Sequence, residues 1–149
     1  MNSPIPKWVA QYVGISFDIG GRSKEVGLDC WGLVCVVYKE QFQIELPQFE
    51  GVYNESESDR EQQNRLQQYV LQERMAIQQR GVFYEVPKEN AREGDLIIIR
   101  TLGQPLHIGI VVVAGLMLNA REGCDTIVES YRHPVWSSRI DGIYRHDSF

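Results

Sequence analysis

Residues 29–38 read DCWGLVCVVY, and this stretch decides the fold. A polar residue followed by an apolar run is typical of the start of a buried helix, so we predict a helix over residues 30–41. Asp29 is placed to cap the N-terminus of this helix, which puts Cys30 on its first turn. Free backbone N–H groups and the helix dipole at that end favour the thiolate form of a cysteine.

A second informative stretch, residues 107–111, reads HIGIV. Its apolar run is rich in Ile and Val and too short to span a membrane, so it predicts a buried strand that starts near His107. A cysteine at a helix start and a histidine at a strand start, distant in sequence, can meet in a fold as nucleophile and general base. The two stretches together predict chemistry that depends on a cysteine.

The composition indicates one globular domain over residues 1–149. Of its 149 residues, 43% are apolar and 23% are charged, and the formal net charge is −5. An acidic chain without a basic cluster is not expected to bind nucleic acid. Its apolar runs fall short of the roughly 20 residues of a transmembrane helix, and residues 1–20 lack a signal-peptide pattern. We therefore expect a protein made in the cytoplasm that does not insert into a membrane.

The three cysteines and three histidines of the chain do not have the spacing of metal ligands. Cys35 lies in an apolar stretch and is expected in the core. His133 and His146 are expected on the surface. We expect neither a metal site nor a cofactor.

After the first helix, the pattern changes twice. Residues 55–79 are polar with an apolar stripe at helical spacing, which predicts an amphipathic helix. Strand patterns then follow at residues 82–86, 95–100, 106–113, 116–119, 126–130 and 142–145. Helices first and a strand meander second predict an α+β fold, with N-terminal helices packed on a small antiparallel sheet.

The hairpin around residues 114–115 decides whether the side chains of His107 and Asn119 can meet. Side chains alternate along a strand, so the two share a face only if an odd number of residues forms the loop. Pairing Val111 with Gly115 leaves a three-residue loop and sets His107 directly opposite Asn119. Pairing Val112 with Leu116 also leaves three loop residues and sets the two on a diagonal, still within reach. A two-residue loop would place them on opposite faces.

Five short motifs together resemble the NlpC-type papain-like cell-wall peptidases. The motifs are Gly20-Gly21, residues 27–34 (GLDCWGLV), Gly94-Asp95-Leu96, His107-Ile108-Gly109-Ile110 and Leu118-Asn119-Ala120. Trp31 after the cysteine resembles the branch found in phage and prophage tail proteins, as do residues 142–145 (GIYR) with Trp136 and Arg139 ahead of them. The resemblance covers nearly the whole chain and implies a papain-like fold with the nucleophile at a helix N-terminus.

The resemblance implies that Cys30 is the nucleophile, His107 the general base and Asn119 the residue that orients the imidazole. Many members of the family have a histidine at the third position, and an asparagine oxygen can accept the same hydrogen bond. Further candidates for an oxyanion or pocket role are Tyr12, Phe17, Asp29 and Trp31. Asp29 is expected to serve as the helix cap rather than as a catalytic acid.

Phe17 marks a departure from the family. Many members have a tyrosine at this position, and its hydroxyl lies near the cysteine. Phe17 keeps the ring and lacks the hydroxyl, so Tyr12 is considered as a substitute. The backbone N–H of Cys30 would remain as an oxyanion donor.

The family cleaves peptidoglycan stem peptides, typically between D-γ-glutamate and a diamino acid, without a cofactor. The phage branch implies a virion component at a tail tip, with tail or hub proteins as partners and the cell wall as its place of action. Two alternatives stay open. One is a structural tail-assembly protein with little or no activity, and the other is an amidase or acyltransferase with another substrate.

Overall fold

The computed structural model describes residues 4–46, 82–101, 104–121 and 123–149. The helix predicted over residues 55–79 lies outside these ranges. A 3-10 helix over Lys7–Gln11 precedes the short strands β1 (Arg22–Ser23) and β2 (Gly27–Leu28) and the helix α1 (Cys30–Phe42). The later elements are β3 (Phe83–Val86), β4 (Leu96–Thr101), β5 (Gln104–Val113), β6 (Leu116–Arg121), β7 (Asp125–Ser130), α2 (Pro134–Ser137) and β8 (Ile140–His146).

Strands β3 to β8 form one antiparallel sheet in the order β3-β8-β4-β5-β6-β7. Side chains alternate between its two faces, so the sheet has two apolar surfaces. One face carries Ile98, Ile108 and Leu118 and packs on α1. The other face carries Ile97, Val111 and Met117 and is covered by Trp136 of α2. The predicted α+β fold with a helix packed on a small antiparallel sheet is confirmed.

Helix α1 begins where the sequence predicts and ends one residue later than predicted. Asp29 caps its N-terminus, because the carboxylate accepts a hydrogen bond of 2.7 Å from the backbone N–H of Gly32. At the other end Gln43 adopts a left-handed conformation with φ of 56°, and its N–H bonds to the carbonyl of Tyr38. Among the described residues, no helix is both long and apolar enough to cross a membrane.

The β5–β6 hairpin combines a two-residue turn with a bulge. Val113 pairs with Leu116, which leaves residues 114–115 as the turn, but Ile110 pairs with Leu118 in a register shifted by one residue. The extra residue restores the odd spacing. His107 and Asn119 therefore share a face and lie on a diagonal, although the turn is of the length that was expected to separate them.

The Gly94-Asp95 motif forms a turn that is held by β8. The Asp95 carboxylate is fully buried and accepts two hydrogen bonds of 2.9 Å from the Arg145 guanidinium. It also accepts a hydrogen bond of 3.0 Å from the backbone N–H of Arg92. This bidentate pair ties the turn before β4 to the end of β8.

His146 is buried, contrary to the prediction of a surface position. Its ring contacts those of Tyr38, Phe83 and Phe149, with centroid separations of 5.0–6.2 Å. Burial lowers the pKa of His146. His133 is exposed, as predicted.

Candidate active site

The N-terminus of α1 is held by the hydrogen bonds of the Asp29 carboxylate. Besides Gly32, it accepts a bond of 2.9 Å from the N–H of Gly20 and one of 2.8 Å from the guanidinium of Arg22. Asp29 is fully buried and engaged on both oxygens. It therefore acts as the predicted cap and joins the β1–β2 hairpin to the first turn of α1.

The glycines around Cys30 allow this hairpin to pack directly on the helix. A Cβ at Gly32 would lie 2.0 Å from the carbonyl oxygen of Gly21, and a Cβ at Gly21 would lie 2.2 Å from the carbonyl oxygen of Gly27. Both distances are far shorter than any carbon–oxygen contact. The Gly-rich motif is thus explained by backbone packing beside Cys30.

The environment of Cys30 favours the thiol. Its side chain is 5% exposed, and burial together with the neighbouring Asp29 carboxylate raises the pKa of the thiol to about 12. The backbone N–H groups of Ile108 and Trp31 and the charge of Arg22 act in the opposite direction but do not outweigh burial. Burial therefore outweighs the helix N-terminus, which by itself favours the thiolate as expected. A base must remove the proton.

His107, the candidate base, is oriented by a neighbour that the hairpin register supplies. Its Nε2 atom lies 2.9 Å from Oδ1 of Asn119, which is fully buried. The amide nitrogen of Asn119 donates to the carboxylate of Glu129 at 3.0 Å and to the carbonyl of Ile127 at 3.3 Å. Because both partners of this nitrogen are acceptors, Oδ1 must face His107. Nε2 then carries the imidazole proton, and Nδ1 carries the lone pair that can accept the thiol proton.

The β5–β6 ladder ends close to this pair. The paired residues begin at Ile110↔Leu118, so the His107–Asn119 hydrogen bond joins the two strands beyond that point. Here the backbone N–H of Ile108 acts on the thiol of Cys30 and lowers its pKa, against the effect of burial. The thiol is therefore placed beside the residue that follows the candidate base.

Gly109 makes room for the asparagine. Continuing the hairpin register beyond Ile110↔Leu118 sets Gly109 opposite Asn119, and a Cβ at Gly109 would lie 3.4 Å from Cβ of Asn119 and 3.0 Å from the sulfur of Met117. The absence of a side chain lets Asn119 reach diagonally to His107. This explains the glycine in the His107-Ile108-Gly109-Ile110 motif.

Three residues that the sequence did not identify as functional lie around His107, the candidate base. Trp136 stacks on the His107 ring, with a centroid separation of 5.8 Å and an interplanar angle of 21°. The guanidinium of Arg121 lies over the Trp136 ring, 5.3 Å from its centroid, and forms an ion pair of 3.0 Å with Glu129. Burial lowers the pKa of His107 below its ordinary value, so the ring is neutral at pH 7. Strand alternation could have identified Glu129 as a neighbour of Asn119 on the same face of the sheet, but only if the β6–β7 register had been known.

A thiol, and an imidazole oriented by a buried amide, are the groups that a cysteine hydrolase of the papain type uses. The model of the NlpC/P60 family matches residues 14–145. The chain belongs to the NlpC/P60 family. Within the described residues, no three His, Cys, Asp or Glu side chains converge in a way that could hold a metal ion.

Two curated proteins are similar to this NlpC/P60 chain over most of its length. Murein DD-endopeptidase MepS/Murein LD-carboxypeptidase of Escherichia coli K12 is 26% identical over 141 residues, which are 95% of this chain and 61% of that protein. Gamma-DL-glutamyl hydrolase of Bacillus subtilis 168 is 24% identical over 147 residues, which are 97% of this chain and 29% of that protein. The chain therefore spans less than two thirds of the length of either relative.

A solved NlpC/P60 structure supports the fold. The NlpC/p60 domain of the peptidoglycan hydrolase SagA superposes with a TM-score of 0.56 at 20% sequence identity, and the match covers 92% of each chain. At this identity the likeness concerns the fold. It agrees with the sheet and helix arrangement described above.

The remaining pocket candidates differ in their positions within the NlpC/P60 fold. The hydroxyl of Tyr12 bonds to the side chains of Glu40 and Gln41. These lie near the far end of α1, about 15 Å from Cys30 at the rise of a helix. This corrects the expectation that Tyr12 supplies a hydroxyl at the thiol.

Phe17 and Trp31 both pack on the core cluster that includes Cys30. Phe17 is half-buried, and its backbone N–H donates to the Asp125 carboxylate at 3.1 Å. Trp31 is 2% exposed, so its ring packs inside the protein. A pocket role for Phe17 stays a prediction.

Proposed function

We propose that this chain is a cysteine hydrolase that cleaves peptidoglycan stem peptides at the bond between D-γ-glutamate and a diamino acid. The observation that carries the proposal is the 2.9 Å hydrogen bond from His107 to Asn119, because it leaves Nδ1 as the base. The names of the relatives support the substrate class, since they refer to murein peptide bonds and to γ-glutamyl bonds. The bond itself is taken from the resemblance of the motifs to the family.

The proposed reaction begins with a neutral thiol and a neutral imidazole. Nδ1 of His107 takes the thiol proton as the sulfur of Cys30 attacks the carbonyl carbon of the scissile amide. The imidazolium then gives this proton to the leaving amine, the C–N bond breaks, and a thioester remains on Cys30. His107 next removes a proton from water, which attacks the thioester. The carboxylic acid product leaves, and the thiol regains its proton.

Asn119 and the helix N-terminus each have a role in this proposal. Asn119 keeps the imidazole in the tautomer that can accept the thiol proton, and its oxygen stabilises the imidazolium that forms. The backbone N–H of Cys30 is the proposed donor to the developing oxyanion, as in other acyl-transfer sites at helix starts. No step requires a cofactor.

For the biological setting we propose the tail tip of a phage-type particle, with tail or hub proteins as partners and the bacterial cell wall as the place of action. The support is Trp31 and residues 142–145, which resemble the phage branch. Synthesis in the cytoplasm without membrane insertion belongs to the same proposal. Co-purification with assembled tails, measured by mass spectrometry of purified particles, tests this setting separately from catalysis.

A structural role with little or no activity is the second candidate. It is favoured by two observations: Phe17 has no hydroxyl to offer the oxyanion, and the thiol of Cys30 is buried with a raised pKa. An amidase or acyltransferase acting on another substrate would use the same residues. Activity measurements decide among the three.

The deciding experiment measures the release of new amine groups from purified peptidoglycan by the parent protein and by Cys30→Ala. Cys35→Ala is the matched control, because it also removes a buried thiol from α1, but one that lies away from the helix N-terminus. We expect release by the parent and by Cys35→Ala only, with fragments whose masses correspond to cleavage after D-γ-glutamate. Fragments from another bond would correct the specificity, and no release from Gram-negative or Gram-positive walls would favour the structural role.

A further inference from the structure

We propose that Glu129 is a positioning residue, which fixes the tautomer of His107 by holding the Asn119 amide in one orientation. The inference deepens the proposed function, because it assigns a further residue to the same site. Glu129 does not contact the thiol, so it acts through Asn119.

The argument begins with the ambiguity of an amide. If the Asn119 amide turned over, its NH₂ group would face Nε2 of His107, and the imidazole proton would move to Nδ1. That tautomer has no lone pair on the nitrogen that is proposed to accept the thiol proton. Something must therefore hold the amide in the productive orientation.

Glu129 supplies the shorter of the two hydrogen bonds that hold the amide. Its carboxylate accepts from the Asn119 nitrogen at 3.0 Å, against 3.3 Å for the carbonyl of Ile127. In the β6–β7 ladder Asn119 lies opposite Ile127, so Glu129 lies on the neighbouring diagonal of the same face. Its position is set by the sheet rather than by a loop.

Arg121 keeps Glu129 an acceptor. Burial raises the pKa of the Glu129 carboxyl, but the hydrogen bonds from Arg121 and Asn119 outweigh this effect and lower it. The Arg121 guanidinium is itself held over Trp136, which stacks on His107. The side chains thus form a closed ring: His107, Asn119, Glu129, Arg121 and Trp136. The charged groups acting on the imidazole are Arg121 from β6 and Glu129 from β7.

The test compares two variants of Glu129 to separate the effect of its hydrogen-bond acceptor from the effect of its negative charge. In protein labelled with ¹⁵N-histidine, the two ring nitrogens of His107 report the tautomer directly, and His107→Gln assigns the signals. Glu129→Ala removes both acceptor and charge, whereas Glu129→Gln keeps an acceptor oxygen. We expect a single Nε2–H tautomer in the parent and in Glu129→Gln, and a mixture in Glu129→Ala. Both variants should lower the pKa of His107, because each removes a charge that favours the imidazolium.

Arg100→Ala serves as the matched control, because it breaks an ion pair with Asp141 elsewhere in the sheet. Its His107 signals should equal those of the parent. An unchanged tautomer in folded Glu129→Ala overturns the inference. If Glu129→Ala does not fold, Glu129→Met, which keeps the length of the side chain but has no carboxylate acceptor, replaces it, and an unchanged tautomer there overturns the inference.

Kinetics distinguish a failure of this inference from a failure of the proposed function. With active protein, we expect Glu129→Ala to lower kcat about 10-fold to 100-fold with little change in KM, and Glu129→Gln to recover most of it. The NMR readout needs no substrate. A tautomer mixture in Glu129→Ala combined with an inactive parent would support the positioning role and reject peptidoglycan hydrolysis.

Discussion

The two halves of the site are built in different ways. The nucleophile half, so called after the proposed role of Cys30, consists of α1 and the β1–β2 hairpin, and Asp29 holds it through groups close to it in sequence. The base half consists of β5, β6 and β7, and its key bonds join His107, Asn119 and Glu129 across strands. A local motif therefore places the thiol, whereas the register of a sheet places the base.

The largest effect is expected from crowding the nucleophile half. In Gly32→Ala the new Cβ would lie 2.0 Å from the Gly21 carbonyl oxygen, a backbone atom that cannot move without moving the hairpin. We expect the free energy of unfolding to fall by about 3 kcal/mol and amine release to be lost as Cys30 shifts. Chemical denaturation measures the first effect. Lys39→Ala, exposed on the same helix, is the control, and a parent-like Gly32→Ala would contradict the packing described here.

A smaller loss of stability, but a selective loss of rate, is expected in the base half. In Gly109→Ala the new Cβ meets the flexible end of Met117 at 3.0 Å and Cβ of Asn119 at 3.4 Å, so side chains can yield. We expect about 1 kcal/mol of destabilisation and a kcat about 10-fold lower, because Asn119 is displaced from His107.

The control for Gly109→Ala is Ile110→Val, which alters the same strand on the face toward α1. It should cost about 1 kcal/mol of stability without a comparable effect on kcat. Equal kcat values in the two variants would show that Gly109 serves packing alone.

The smallest effects are expected in the pH dependence of kcat/KM and of thiol alkylation, which report on His107 and Cys30 respectively. Burial lowers the pKa of His107 below its ordinary value of 6.5, so kcat/KM should fall on the acid side with an apparent pKa below that value. Burial raises the pKa of Cys30 to about 12, so alkylation of the thiol by iodoacetamide should keep rising above pH 9. Peptide mass mapping follows Cys30 alone. A plateau of alkylation near pH 7 would reveal a resting thiolate.

The lowered pKa of His107 also determines how the stability of the folded protein changes with pH. The folded protein binds a proton at His107 less readily than the unfolded chain, so this contribution to stability is complete above pH 6.5. It is lost as the pH falls through the lowered value. His146, whose pKa burial also lowers, acts in the same direction.

Much of the fold could be predicted because its signals are local. The cap at Asp29, the apolar run of α1 and the alternation in the strands each extend over a few residues, and the structure confirms the elements that they predict. The geometry of the β5–β6 hairpin was harder to predict. Its two-residue turn alone would separate His107 from Asn119, and only the bulge beside it restores their common face.

Other features could not be predicted from the sequence, because they depend on packing between residues that are far apart along the chain. The hydroxyl of Tyr12 binds near the far end of α1 rather than near the thiol, and His146 is enclosed by aromatic rings. Glu129 and Trp136 become part of the site only when β7 and α2 are placed beside His107. None of these contacts leaves a fixed spacing in the sequence.

The sequence by itself determined where the nucleophile half begins, because helix capping and close glycine packing act between near neighbours. It also indicated the residues of the base half through the family motifs. Only the tertiary structure shows that burial raises the pKa of Cys30, because burial is a property of everything packed around a group. It alone decided the tautomer of His107, since that depends on a chain of hydrogen bonds across three strands.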